Sequence, residues 1–205
     1  MESREHWERV HRHIAPDELS WYQREPTISL DLIRRVAPDL DAPIIDVGGG
    51  ASTLVDALLD AGYRDLTVLD LSDAALGVAR ERLGARAALV RWLEADARAV
   101  PVASSPYAVW HDRAVFHFLT DPRDRAAYVD SLRAAVRVGG HVIVASFAPD
   151  GPTQCSGLPV MRYSCESMHL ELGASFRPLD SVREAHHTPG GATQAFVYCL
   201  WRLDA

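Results

Sequence analysis

Three carboxylates and three glycines make the first chemical pattern in the sequence. Asp46 stands inside the apolar run IIDV, and Gly48, Gly49 and Gly50 follow it directly. Asp70 closes a second apolar run, LTVLD, and Asp96 follows a third in WLEAD. Glycines in such a turn let the main chain approach a ligand closely. An acid on the first strand suits a ligand carrying an ammonium group. A carboxylate ending the second strand can accept hydrogen bonds from both hydroxyls of a ribose, and one after the third can meet an adenine amino group. The dinucleotide fingerprint G-x-G-x-x-G is not completed, because Thr53 stands where its third glycine would be. The pattern therefore favours a ligand with amino acid, ribose and adenine parts over a dinucleotide.

Chemistry of this kind needs a rigid frame, and the rest of the chain supplies one. Residues 2–13 read as a short amphipathic helix with Trp7, Val10 and Ile14 on one face, and APDEL turns the chain. A second helix is expected over 26–37, with Pro26 at its start and Ile28, Leu32, Ile33 and Val36 as its stripe. Strands are expected at 43–48, 65–72, within AALVRWLEAD, at 107–113 and in HVIVASFAP. Helices fall between them: one from Ser52 or Thr53 to Gly62, one from Ser72 to Gly84, and one in DRAAYVDSLRAAVRVGG that ends at Gly139-Gly140. Strands alternating with helices imply parallel units with right-handed crossovers. A polar loop, DGPTQCSGLPV, a helix near 164–173 and two strands joined by PGGA complete the chain. The expected fold is α/β, a doubly wound, seven-stranded, mostly parallel Rossmann-like sheet with helices on both faces and a C-terminal antiparallel hairpin. Residues 1–40 form an N-terminal helical lid segment in this reading, and 41–205 one domain.

Bulk properties exclude other classes. A chain of 205 residues with 48% hydrophobic and 24% charged residues suits one globular domain. A net charge of −7 argues against general nucleic-acid affinity, although Arg34 and Arg35 make a small basic patch. No apolar run approaches the ~20 residues of a membrane helix, and the charged N-terminus lacks a signal-peptide core. A cytoplasmic protein is expected. Cys155, Cys165 and Cys199 form no zinc pattern, and so sparse a set fits a reducing compartment. His186-His187 has no carboxylate or cysteine at ligand spacing, so no metal site is expected.

The stretches IIDVGGGAS, LTVLDLS, WLEADAR and YAVWHDR resemble the class I S-adenosylmethionine-dependent methyltransferases over roughly residues 40–202, with VGGHVIVASF similar to that family's fifth strand. Ser52 stands where many members carry a further glycine. The resemblance implies S-adenosylmethionine as cofactor and S-adenosylhomocysteine as its product. It implies that Gly48, Gly49 and Gly50 line the methionine part, that Asp70 holds the ribose, that Leu71 packs on the adenine, and that Asp96 with Ala97 edges it. Residues just after the fourth strand would face the sulfonium, which brings His111 to the cofactor.

Methyl transfer from a sulfonium is an in-line displacement that needs alignment, exclusion of water and, for a neutral acceptor, a proton acceptor. WHDRAVFHFLTD offers His111 or Asp112 as base and Arg113 as an anion clamp, with His117 toward the acceptor; Asp112 and Arg113 alternatively form an ion pair that fixes the loop. In SWYQREP, Trp21, Tyr22 and Gln23 can cover and bind the cofactor, or they can staple the N-terminal helices to the domain. FAPDGPTQCSGLPVMRY can roof the acceptor pocket with Cys155, Arg162 and Tyr163. The leading reading is a methyltransferase for a nucleophile of a small molecule, a thiol or other soft acceptor among the options. The alternative is a protein-lysine methyltransferase, since the layout is partly similar to the citrate synthase and elongation-factor lysine enzymes. Asp112-Arg113-Ala114 stands here in place of their Asp-Lys-Gly. A non-catalytic cofactor-binding module is the third reading. Neither nucleic acid nor membrane is an expected partner, and the chain is expected as a monomer or, through its hairpin, a homodimer.

Overall fold

The apolar runs of the sequence meet in one seven-stranded sheet. The computed structural model describes residues 4–101 and 105–205, so the first two positions of the expected 2–13 helix lie outside the described residues. In chain order the elements are α1 (Arg4–His13), α2 (Thr27–Val36), β1 (Ile44–Val47), α3 (Leu54–Asp60), β2 (Leu66–Asp70), α4 (Asp73–Leu83), β3 (Val90–Glu94), β4 (Tyr107–Arg113), α5 (Pro122–Ala135) and β5 (Val136–Phe147). A small two-stranded ribbon follows, β6 (Gln154–Cys155) with β7 (Leu158–Pro159). Then come α6 (Cys165–Leu172), β8 (Phe176–His187) and β9 (Thr193–Leu203). The sheet order is β3-β2-β1-β4-β5-β9-β8. Strands β1 to β5 pair in parallel, whereas β9 is antiparallel to both β5 and β8. The strand order reverses at β1, between β2 and β4, and a cleft opens there beyond the carboxyl ends of the strands.

Local chemistry sets the element ends. The Ser72 hydroxyl accepts from Ala75 N at 3.1 Å and starts α4, which stops at Gly84 (φ 56°). Asp121 caps α5 through Arg123 N, and Ser164 caps α6 through Ser167 N. The expected end of α5 is corrected. The helix stops at Ala135, and β5 runs straight through Gly139-Gly140, where the β4–β5 register shifts between Tyr107 and Val109. Val136 is β-branched and already extended (φ −94°, ψ 136°), so it pairs with Tyr107 instead of closing another helical turn.

One apolar layer packs Ile45, Val47, Leu69, Trp110 and Val144 under Tyr128 and Leu132 of α5. The other packs Ile44, Leu66, Val68, Val109 and Ile143 against α2, α3 and α4. Leu32 and Ile33 of α2 belong to that second layer, whereas Ile14 lies beyond the end of α1 and is exposed. Cys165 at the start of α6 and Cys199 on β9 form a disulfide with a Cα–Cα distance of 5.6 Å. The sparse cysteine set thus holds one bonded pair and one free thiol, the buried Cys155, where the sequence alone suggested only a set suited to a reducing compartment. No helix among the described residues is long and apolar enough to cross a membrane.

Candidate active site

The glycine turn lies against two carboxylates. Gly48 and Gly49 both donate their N–H groups to Leu69 O, at 2.7 and 3.1 Å. Gly48 has φ +69°, and a side chain there would run into Val115. A Cβ on Gly50 would stand 2.5 Å from Asp70 Oδ2 and 2.7 Å from Ala75 Cβ. Asp46 is buried on β1. Its Oδ1 faces His111 Nδ1 at 2.7 Å, and its Oδ2 is buried with no partner among the described residues. The remaining His111 nitrogen meets Ser29 Oγ of α2 at 2.8 Å. Asp70 accepts from Ser72 N at 2.9 Å, and burial lifts its pKa to about 6, against the pull of backbone N–H groups including those of Leu71 and Gly50.

Around this turn the cleft has two lobes. Leu71, Ala95, Ala97, Val115, Phe118 and Cys155 line one, beneath Trp7 of α1. Tyr22, Gln23, Ser29, Asp46, Gly49 and His111 line the other. His11, Trp21, Gly48, Asp70 and Arg113 face both lobes and mark their junction. An amino group fits the unpartnered Asp46 Oδ2, and a ribose fits Asp70 at the junction. An adenine fits the lobe edged by Leu71, Ala95 and Ala97. The donor set therefore suits S-adenosylmethionine. Asp96 itself turns aside, with its carboxylate on Arg98 N and the Arg98 guanidinium. Ala95 and Ala97 on either side of it edge the cavity.

The pleat of β4 divides the WHDR cluster between two faces. His111 lies in register with Asp46 and reaches α2. Asp112 points the other way, accepting from Tyr128 OH at 2.7 Å and from the N–H groups of Val115 and Phe116. Burial raises its pKa to about 6, yet it does not line the cleft. Asp112 and Arg113 therefore form no pair. Arg113 donates from Nε to Tyr198 OH at 2.8 Å and from Nη1 to Trp21 O at 2.9 Å. Its Nη2 lies 3.5 Å from Glu184 Oε2, and the guanidinium sits over Phe196. Ala114, next in sequence, has φ +71° and lines the first lobe. Alanine holds a left-handed conformation here that glycine adopts without strain, at a cost of roughly 1–2 kcal/mol.

The segment before α2 is strapped over the cleft. Gln23 donates to Glu184 at 2.7 Å, and Thr53 Oγ1 donates to Gln23 O at 2.8 Å. His186 donates from Nε2 to Ser20 O at 2.9 Å. Trp21 and Tyr22 line the cleft, while the Gln23 amide is used on the hairpin.

The expected acceptor residues scatter. Cys155 reaches the first lobe, with its thiol pKa pushed up to about 11 by burial. His117 is wholly buried between Phe118 and Phe147, has no partner for either nitrogen among the described residues, and has its pKa lowered to about 3 by desolvation. Tyr163 packs in the α5-side core, with burial raising its pKa to about 12. Arg162 is exposed and donates to Pro149 O. The last three line neither lobe. Sequence reasoning missed His11, Ser29 and Glu184. His11 follows Trp7 by four positions on α1, so its interruption of an apolar face was a usable signal. Ser29 and Glu184 carried none.

A family model described as a methyltransferase domain matches residues 44–140. Among curated proteins, an eEF1A lysine and N-terminal methyltransferase from Mus musculus is 25% identical over 152 residues, covering 71% of this chain and 22% of the relative. The ubiquinone/menaquinone biosynthesis C-methyltransferase UbiE of Roseobacter denitrificans is 31% identical over 116 residues, 55% of this chain and 45% of the relative. The chain thus spans less than half the length of these relatives. Among solved structures, one described as converting a disulfide bond into a thioacetal group during echinomycin biosynthesis superimposes with a TM-score of 0.79. It has 19% identity and covers 98% of this chain and 92% of its own. The N-methyltransferase NodS from Bradyrhizobium japonicum WM9, with S-adenosyl-l-homocysteine, gives 0.73 at 16% identity, covering 98% and 99%. These structural likenesses establish the fold.

Proposed function

We propose that this chain transfers a methyl group from S-adenosylmethionine to a small molecule, a reading supported by the methyltransferase-domain model that matches residues 44–140. The observation that carries the small-molecule reading is the roof. Trp7 covers the first lobe and Trp21 faces both, and hydrogen bonds from Arg113, Thr53 and His186 hold residues 20–23 in place beside them. A roofed recess with apolar walls admits a small acceptor more readily than a folded protein's side chain.

When bound, the cofactor supplies a methyl group on a positively charged sulfur. The chain's part is binding, orientation and exclusion of water. Asp46 Oδ2 is placed for an ammonium, and His111 with Ser29 fixes that carboxylate from behind. Asp70 is placed for ribose hydroxyls, and Leu71 and Ala97 for an apolar ring. Trp7, Trp21 and Phe118 wall the first lobe with apolar rings, which limits competition from solvent for a displacement beside them.

The eEF1A lysine methyltransferase relatives, matched over about seven-tenths of this chain, favour the second reading, a lysine acceptor. Purified protein with methyl-labelled cofactor and a host lysate split into macromolecular and small-molecule fractions separates the readings. Label in a small product supports the proposal, and label in a protein band replaces it with the lysine reading. No transfer despite measured S-adenosylhomocysteine binding leaves a cofactor-binding module and refutes both.

A further inference from the structure

His11 is the polar side chain at the lobe junction that the site described above does not use. Asp70 there is engaged with main-chain N–H groups, and Arg113 is spent on Tyr198, Trp21 and Glu184. His11 faces both lobes, stands edge-on to Trp21 with ring centroids 6.3 Å apart, and forms no hydrogen bond from its ring among the described residues. The walls beside it are apolar: Trp7 meets Trp21 and Phe118 edge-to-face at 6.0 and 4.9 Å, with Val115 next to them.

Resting on the methyltransferase reading, we propose that His11 receives the methyl acceptor, and that the acceptor is a small, uncharged aromatic hydroxyl compound. The rings of Trp7, Trp21 and Phe118 match a flat apolar body. A carboxylate would lose its hydration there without a free counter-charge, since the Arg113 charge is met by Glu184, and an ammonium would meet only Asp70, which already accepts from main-chain N–H groups. Accepting a hydrogen bond from the O–H aims the oxygen across the junction. As that oxygen bonds to the methyl carbon, the carbon–sulfur bond breaks with its electron pair left on sulfur, and the hydroxyl proton passes to the imidazole. The ring is free to accept, because burial lowers the His11 pKa to about 4 despite the Glu8 carboxylate one turn earlier on α1. The other charged groups facing the junction are Asp70 and Arg113, with Arg12 adjacent on the helix.

The test uses the protein saturated with S-adenosylhomocysteine and two probes, phenol and anisole, which differ by the proton in question. Phenol is expected to bind about five- to tenfold more tightly than anisole, the ratio of one net hydrogen bond. His11→Phe is expected to abolish the preference, and His11→Gln, which keeps an acceptor atom, to retain it. Both variants should bind S-adenosylhomocysteine within about twofold of the parent, a ratio well below one hydrogen bond. Equal binding of the probes, no binding of either, or a preference that survives in His11→Phe overturns the proposal while leaving the methyltransferase reading intact. If His11→Phe does not fold, loss of the preference in His11→Gln overturns it equally. Failure of the parent protein to bind S-adenosylhomocysteine overturns both.

Discussion

Lowering the pH from about 8 to about 5 is expected to weaken S-adenosylhomocysteine binding about tenfold, through Asp70. Burial holds this carboxyl at a pKa of about 6, and the nearby Asp46 adds to the rise. Ribose hydroxyls donate to the ionised form, so binding selects the carboxylate and draws its pKa down. The free protein must then give up a proton to bind at low pH. With a free pKa of about 6, affinity scales with the ionised fraction, which falls from nearly all at pH ~8 to about one part in eleven at pH ~5. Asp70→Asn cannot ionise, so its affinity should stay flat across that range. Its affinity should be ~10–100-fold weaker at the upper end, the value of hydrogen bonds to a charged acceptor.

Stability should move the opposite way. A group whose folded pKa lies above its unfolded value stabilises below the unfolded pKa, and the benefit is lost as pH rises through the folded value. Asp70 thus costs roughly 3 kcal/mol when ionised, and Asp70→Asn should melt no lower than the parent at neutral pH. Asp112 also titrates near 6, but it is tied to Tyr128 and two N–H groups away from the cleft, so it affects parent and variant alike. Calorimetric titrations at both pH values, with thermal melts, decide the matter. A parent affinity that does not change with pH, or the same slope in Asp70→Asn, refutes the assignment of Asp70.

Two further outcomes follow from packing and from the disulfide. Gly50→Ala places a methyl group 2.7 Å from Ala75 Cβ and 2.5 Å from the Asp70 carboxylate. Forced displacement of one or both should weaken S-adenosylhomocysteine binding by about tenfold or more, at the 1–3 kcal/mol typical of overpacking, read by the same titration. Replacing Cys165 and Cys199 together by Ala opens a loop spanning 34 residues. It should lower unfolding stability by roughly 3–4 kcal/mol in a denaturant titration and leave cofactor affinity unchanged, because neither sulfur lines the cleft.

The frame of the site was legible because each of its signals is local. Gly48 to Gly50, the Ser72 cap and Asp70 at the end of β2 act within a few residues and meet in the cleft, whereas Asp96 is drawn away by Arg98 two residues on. The α5–β5 boundary was not legible, because Val136-Arg137-Val138 continues a helical period in letters while Val136 pairs with Tyr107 of β4 in space. The Cys165–Cys199 pair was hidden for a similar reason, since it depends on how α6 settles on β9.

The WHDR cluster carries a different lesson. His111, Asp112 and Arg113 were read as one functional group because they are adjacent in sequence. Once the stretch is a strand, period two assigns His111 and Arg113 to one face and Asp112 to the other. The same register that sets Asp46 beside His111 takes Asp112 to Tyr128 and the core. The two chemical tasks of the cluster therefore belong to different neighbours. His111 steadies the carboxylate offered to an ammonium, and Arg113 holds the covering strap through Trp21 O. The junction is left without a base from β4, and among the described residues the imidazole that faces it is His11 of α1, whose helix also supplies Trp7 to the roof. Proton acceptance and closure of the site would then depend on the same helix, so the acceptor would meet its base only when the cleft is covered.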